Sequence, residues 1–240
     1  MVDNKYKRVL LKISGEALLG EQQFGIDPKP VEMIADEIRS IYERGVEIAV
    51  VVGGGNIFRG MQNSSKLGMD QASGDYVGML ATVMNAIAIQ SELRKIGVDC
   101  RVQSAIDIEK IAEPYIRFRA IRHLEKGRVV IFAAGTGNPF FTTDTAAALR
   151  ASEIGAEAML MAKNGVDGVY SADPKVDSNA KKYDKITYDD IIVNGLKVMD
   201  LTSCALCKQN SIPITVFDFN LKDSLVKILN NENVGTLVTE

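Results

Sequence analysis

The chain lacks the residues that several function classes require. Its 240 residues include no tryptophan, one histidine and three cysteines. His123 with Cys100, Cys204 and Cys207 leaves too few well-spaced ligands for a tetrahedral zinc site. The C-x-x-C spacing of Cys204 and Cys207 therefore reads as two small helix residues. An odd, small set of thiols speaks against a disulfide framework and fits a reducing compartment. Long apolar runs are missing too. The longest is 129–134, far short of the roughly 18 residues that span a bilayer. Near the start, Val9-Leu10-Leu11 is broken at once by Lys12, so no signal peptide is expected and the cytoplasm is the expected compartment. Nor does charge of one sign dominate. Lys and Arg number 28 against 31 Asp and Glu, a net charge of −3, without the basic excess of a nucleic-acid footprint. Neither G-x-x-x-x-G-K-[ST] nor G-x-G-x-x-G with a following acid occurs, which excludes the common P-loop and dinucleotide fingerprints.

What is present is an ordinary globular composition, 46% hydrophobic and 25% charged, with twenty glycines. Short apolar runs alternate with amphipathic stretches. The runs 6–13, 47–52, 99–103, 129–133, 158–162, 215–217 and 236–238 predict strands. The stretches 28–44, 74–96, a broken segment over 106–125, 144–154, 188–193, 203–209 and 222–229 predict helices. Strand, helix, strand repeated this way predicts a three-layer αβα sandwich with a mostly parallel central sheet, here as a single domain over 1–240. The strands read as near-continuous apolar runs, as sheets buried on both faces require. Asp27-Pro28 offers a cap with Pro in the first turn, and Arg44-Gly45 a basic last turn with a glycine stop. Tyr76, Val77, Leu80, Val83, Met84, Ile87 and Leu93 recur at helical spacing and predict a core-facing stripe. The polar segment 173–184 reads as a surface loop.

Three glycine-rich loops directly follow three of the apolar runs: Lys12-Ile13-Ser14-Gly15, Gly53-Gly54-Gly55-Asn56 and Gly135-Thr136-Gly137-Asn138-Pro139. Open α/β sheets bind ligands outside the carboxyl ends of their strands. Glycine there lets backbone N–H groups approach an anion and form donor nests. The third loop runs through Phe140-Phe141-Thr142-Thr143-Asp144 into a helix start, with Thr143 or Asp144 expected as N-cap, a ready anion site. Lys12 interrupts an apolar strand, where a cation makes sense at the strand's carboxyl end. Arg59 adds a planar, multi-donor cation after the second loop. Together these predict a site for a substrate with several phosphates.

Taken along the whole chain, these segments resemble the bacterial UMP kinases of the amino-acid kinase (carbamate kinase-like) fold. The likeness runs through Lys12-Ile-Ser-Gly-Glu-Ala-Leu18, Gly53-Gly-Gly-Asn-Ile-Phe-Arg-Gly60, Gly78-Met-Leu-Ala-Thr-Val-Met-Asn85, Ala134-Gly-Thr-Gly-Asn-Pro-Phe-Phe-Thr-Thr-Asp144, Val166-Asp-Gly-Val-Tyr-Ser-Ala-Asp-Pro174, Lys197-Val-Met-Asp200 and Gly235-Thr-Leu-Val-Thr-Glu240. The first, second and fourth are narrow enough to separate UMP kinases from the carbamate, glutamate, aspartate and acetylglutamate kinases. The resemblance implies transfer of a phosphoryl group from ATP to UMP, with Mg²⁺ carried mainly on the ATP phosphates and Asp144 as a candidate contact. It implies that Lys12, Ile13, Ser14 and Gly15 line the ATP phosphates, joined by Gly55 and Arg59, with Asn164, Tyr170 and Asp173 at the adenosine end. Gly54, Asp75, Thr136, Gly137, Asn138, Pro139, Phe140, Phe141, Thr142 and Thr143 are implied for UMP. It further implies a homohexamer, often activated by GTP and inhibited by UTP, with the stretch Gly20-Glu-Gln-Gln-Phe-Gly25 standing where the family has its effector-linked loop.

Phosphoryl transfer asks positioning and charge stabilisation of a protein rather than covalent chemistry. UMP brings its own nucleophilic oxygen, so no general base is required and His123 is expected to be structural. Lys12 is expected to neutralise charge on the transferred group and Asp144 to orient Lys12 or help place Mg²⁺. Asp200 stands as either a second acidic partner or a helix-start residue. Two rivals remain at this stage: a kinase of the same fold acting on a carboxylate or carbamate, and a non-catalytic nucleotide-binding protein.

Overall fold

The computed structural model describes residues 4–59, 68–174, 176–177, 179–196 and 198–240. Its centre is a sheet of β1 (Arg8–Ile13), β2 (Glu47–Val52), β3 (Cys100–Ser104), β4 (Glu113–Pro114), β5 (Val129–Ala133), β6 (Ala158–Lys163), β9 (Lys185–Thr187), β10 (Ile214–Asp218) and β11 (Thr236–Thr239). The strand order is β4-β3-β5-β2-β1-β6-β10-β11-β9. Every neighbouring pair runs parallel except β10 with β11. A two-stranded ribbon pairs β7 (Val169–Tyr170) with β8 (Lys182–Tyr183), so the end of the polar segment 173–184, read as a surface loop, is a strand.

Helices cover both faces because the strands bury side chains on both. Along β1, Val9, Leu11 and Ile13 enter one core, together with α1 (Pro28–Tyr42), α2 (Gln71–Lys95) and α7 (Ser224–Leu229). Leu10 enters the other, with α3 (Arg117–Glu125), α4 (Thr143–Ile154), α5 (Tyr188–Val193) and α6 (Leu201–Gln209). This alternation is the two-residue period of a strand. α1 begins as its cap predicts, with Asp27 accepting from Lys29 N–H and Pro28 at the first helical position. It buries Val31, Ile34, Ala35, Ile38 and Ile41, each isoleucine contributing about 1.5–3 kcal/mol of transfer free energy.

Three sequence expectations are corrected here. The segment 106–125 is helical only over α3; before it the chain forms turns and the short β4, with Pro114 ending the strand pairing. The cap of α4 is Thr142 rather than Thr143 or Asp144. And the stripe on α2 does not face the core. Val83 and Leu93 are buried, but Tyr76, Leu80 and Met84 are 46%, 49% and 55% exposed. The helix is apolar on nearly every side, so periodicity could not choose the inner face. That face carries Gly74, Met79, Ala81, Thr82, Val83, Asn85, Ala86, Ile89 and Leu93, whose smaller members let the backbone come close. By length and composition α2 could also cross a membrane; here it packs along α1 and the sheet.

Candidate active site

Lys12 sits one residue before the end of the central strand β1. It shares Leu10's face of the sheet, the face that α4 covers. Its ammonium lies 2.8 Å from the carboxylate of Asp144 in the first turn of α4. The lysine is only 7% exposed, so its charge is held by that partner rather than by water.

The first two glycine loops meet beside it. Gly53 N–H donates to the Ile13 carbonyl, tying the end of β2 to the end of β1. Ile13 itself is fully buried in the core. A Cβ on Gly15 would fall 2.7 Å from Gly55 N and 2.8 Å from Gly53 O, so only glycine fits where these loops touch. Gly54 is constrained from the other side: its Cβ would sit 2.7 Å from Gly78 O and 2.9 Å from Ala81 Cβ on α2. A Cβ on Gly53 would lie 3.5 Å from Thr143 Oγ1, which brings the third loop to the same rim. Among the described residues the N–H groups of Gly15, Gly54 and Gly55 have no hydrogen-bond partner, leaving three donors at one place. Ser14 caps the short 3₁₀ turn Gly15–Leu18. Arg59 is held over the junction by an ion pair with Glu16 at 2.8 Å, both side chains half exposed.

The start of α4 is fixed by an acid from another helix. Asp200 caps α6 through Ser203 N–H at 2.8 Å, and also accepts from the hydroxyls of Thr142 and, at 2.9 Å, Thr145. Thr142 Oγ1 in turn accepts from the N–H groups of Asp144 and Thr145. Ser203 Oγ donates to the Asp144 carbonyl at 3.0 Å. Asp200 thus locks two helix N-termini nose to nose and sets where Asp144, and with it Lys12, stands. In this structure it is a helix-start residue with a positioning consequence.

The third loop leaves β5 through Ala134 and Gly135, both with positive φ, and Phe140 is again left-handed at φ 71°. Non-glycine residues hold such conformations only where neighbours enforce them. Ala134 N–H donates to Thr82 Oγ1 on α2, and Phe140 N–H donates to the Asp75 carboxylate at 2.8 Å. Within the loop the Thr136 hydroxyl donates to the Asn138 carbonyl and accepts from the Asn138 N–H. Phe140 and Phe141 are exposed on its outer side. Asp75 therefore joins the start of α2 to the segment 136–143.

A cavity of about 590 Å³ opens beyond the end of β6. Tyr170, Asp173, Leu196, Val198 and Lys163 are among its lining residues. That volume falls in the usual range for small-molecule sites, roughly 300–1,000 Å³. The Tyr170 hydroxyl is engaged by Asp167 at 2.6 Å. Asn164 lies apart from this cavity: it borders a smaller cleft of about 170 Å³ near Gly20 and Phe219, and pairs with Asn220. Lys163 lines both spaces. Its ammonium donates to Val198 O at 2.6 Å, and burial, followed by the charge of Lys12, pushes its pKa below the ordinary lysine value. Sequence reading missed Lys163, although its signal is the one that marked Lys12: a lysine closing an apolar strand. The structure puts both on the same sheet face of neighbouring strands, with Asp144 within electrostatic reach of each.

His123 is elsewhere, on α3, between Glu113 at 3.0 Å and Arg128 at 3.2 Å. Since a guanidinium can only donate, Nδ1 accepts and Nε2–H is given to Glu113. Cys204 and Cys207 are buried free thiols on α6.

A parallel sheet with its glycine loops and paired lysine and aspartate at one carboxyl rim defines a phosphotransferase of the amino acid kinase family, to which the chain belongs: the family model matches residues 7–218. The chain is 56% identical over 238 residues to a uridylate kinase of Pediococcus pentosaceus, covering 99% of this chain and 98% of that protein. Among solved structures it resembles a UMP kinase from Bacillus anthracis, with TM-score 0.95 and 41% identity over 98% of this chain and 96% of that one. It also resembles a UMP kinase from Ureaplasma parvum, with TM-score 0.93 and 38% identity over 98% and 100% of the two chains.

Proposed function

We propose that the chain is a UMP kinase, transferring the γ-phosphoryl group of ATP to a phosphate oxygen of UMP to give ADP and UDP for pyrimidine nucleotide supply. The observation that carries this is the Lys12–Asp144 pair standing where three glycine-rich loops converge. The attacking oxygen belongs to UMP and the departing one to ADP. The protein's work is then to bring the two phosphates into line and stabilise the charge between them.

In this reading Lys12 faces the transferred group and Asp144 fixes its position. The partnerless N–H groups of Gly15, Gly54 and Gly55 cradle the phosphates, with Ser14 and Arg59 at the ATP side. Ile13 contributes through its carbonyl, which accepts from the Gly53 N–H. The adenosine occupies the 590 Å³ cavity with Tyr170 and Asp173; Asn164 reaches it only if the neighbouring cleft is part of the same site. UMP takes the side bounded by Gly54, Asp75 and Thr136, Gly137, Asn138, Pro139, Phe140, Phe141, Thr142 and Thr143. Asp200 acts through the start of α4. Lys163, unforeseen from sequence, approaches the transferred group from the adenosine side.

Mg²⁺ enters as part of the ATP complex. Among the described residues no group of three or more His, Cys, Asp or Glu could hold an ion, and the Asp144 carboxylate is shared with Lys12. That donor set fits a metal carried on the nucleotide's phosphates. The 240 residues work as one amino-acid kinase domain, in the cytoplasm, as a homohexamer under GTP activation and UTP inhibition. The exposed apolar face of α2 supports the assembly, because such a face favours a partner.

The test is ADP release with UMP, CMP, glutamate, aspartate and carbamate as acceptors, repeated with GTP or UTP added. Turnover dependent on UMP is expected. Turnover with a carboxylate or carbamate instead, or ATP binding with no acceptor consumed, overturns the reading.

A further inference from the structure

The second glycine loop is held by two buried amides. Asn85, on α2, is fully buried and Asn56 is nearly so. Asn85 Nδ2 donates to the Gly53 carbonyl at 2.7 Å and to Asn56 Oδ1 at 2.7 Å. Asn56 Nδ2 donates to Asn85 Oδ1 at 2.9 Å and to the Gly25 carbonyl at 2.9 Å. Each amide proton has an acceptor, so the pair is complete and its orientation fixed.

The consequence lies in one peptide plane. The Gly53 carbonyl and the Gly54 N–H belong to the same peptide unit, which is trans. In a trans peptide they point in opposite directions. Holding the carbonyl against Asn85 therefore aims the Gly54 N–H away from that side chain. With glycine on both sides, this plane has more rotational freedom than one flanked by side chains. Gly53 N–H is already anchored to Ile13, so the amide from Asn85 is the second pin that a plane needs.

We propose that Asn85, braced by Asn56, is a positioning residue for phosphoryl transfer: it locks the Gly53–Gly54 peptide so that the Gly54 N–H is presented to phosphate. This rests on the kinase reading above.

Asn85→Ala and Asn56→Ala are compared with Ile89→Val, a buried change one turn further along α2, all assayed well below their melting temperatures. The asparagine variants are expected to lower kcat tenfold or more, with KM for UMP within threefold, while Ile89→Val stays within twofold in both. The double variant is expected to lose no more than the worse single one, since the pair acts as a unit. Hydrogen exchange gives a readout independent of turnover: amides over 54–58 should exchange at least tenfold faster in Asn85→Ala and at the parent's rate in Ile89→Val. Should Asn85→Ala fail to fold, Asn85→Ser takes its place in the same comparison. Parent-like kcat in the asparagine variants, or unchanged exchange over 54–58, overturns the proposal. A parent chain without UMP-dependent turnover would overturn the kinase reading instead, and the exchange experiment would still decide the clamp.

Discussion

A lysine with little exposure is expensive unless something answers its charge, and Lys12 is answered by a single carboxylate. Removing the ammonium leaves Asp144 without its partner and, on the proposed reading, the transferred group without its cation. Lys12→Ala is expected to lower kcat by at least a thousandfold, about 4 kcal/mol of barrier, with UMP affinity changed only a few-fold. Steady-state kinetics beside UMP titration checks this, and turnover near the parent's would reject the assignment. Asp75 belongs to the other end of the site. Because its carboxylate accepts from Phe140 N–H, Asp75→Asn is expected to loosen the segment 136–143 and raise KM for UMP, leaving KM for ATP within twofold. An unchanged KM for UMP would count against it. Residues of this kind were legible because their chemistry sits on the chain itself: a cation ending an apolar strand, glycines after it. Asn85, Asn56 and Thr82 were not, because a buried amide or hydroxyl looks like any other polar residue until its partners, some 30 or 50 positions away, are in place.

Between elements, the joint that matters is the one where α4 and α6 meet. A helix start needs acceptors for its first N–H groups, and the sequence pointed to Thr143 or Asp144. Only the structure reveals that Thr142 takes the role, because Asp200 holds its hydroxyl. Asp200→Ala removes the α6 cap, worth about 1 kcal/mol, together with the bonds to Thr142 and Thr145. It is expected to lower the melting temperature and to reduce kcat more than tenfold through displacement of Asp144, with restored cap but not activity in Asp200→Ser. Equal recovery of both would make the residue purely structural. The same helix carries a pH-dependent contribution. Burial pushes the Cys207 thiol from its ordinary value of 9.0 up to about 12. The folded chain thus holds that proton more tightly than the unfolded one, and the contribution is complete below pH 9 and fades as pH rises towards 12. In urea melts at pH 8 and 10.5, Cys207→Ala is expected to lose less stability between the two than the parent; identical losses would remove Cys207 from the account.

At the scale of the molecule, the parallel order of strands was readable from alternating apolar runs, since a sheet covered on both sides needs unbroken hydrophobic strands. The direction in which α2 faces was not, because a helix apolar all round gives periodicity nothing to choose between. Its two sides do different work. The inner side carries Thr82 and Asn85 against the loops of the site; the outer side shows Tyr76, Leu80 and Met84 one turn apart. In the hexamer reading that outer row is covered by another copy. A charge there should oppose assembly without touching the fold of one protomer, since the three side chains are about half exposed already. Leu80→Glu is therefore expected to shift the sedimenting species to a smaller one while leaving the secondary-structure spectrum unchanged. Activity should fall with assembly, because Asp75 and Gly78, which contact the acceptor segment and Gly54, lie on the same two turns of helix as the outer row. A variant that sediments as the parent does would place the contact between copies on some other face.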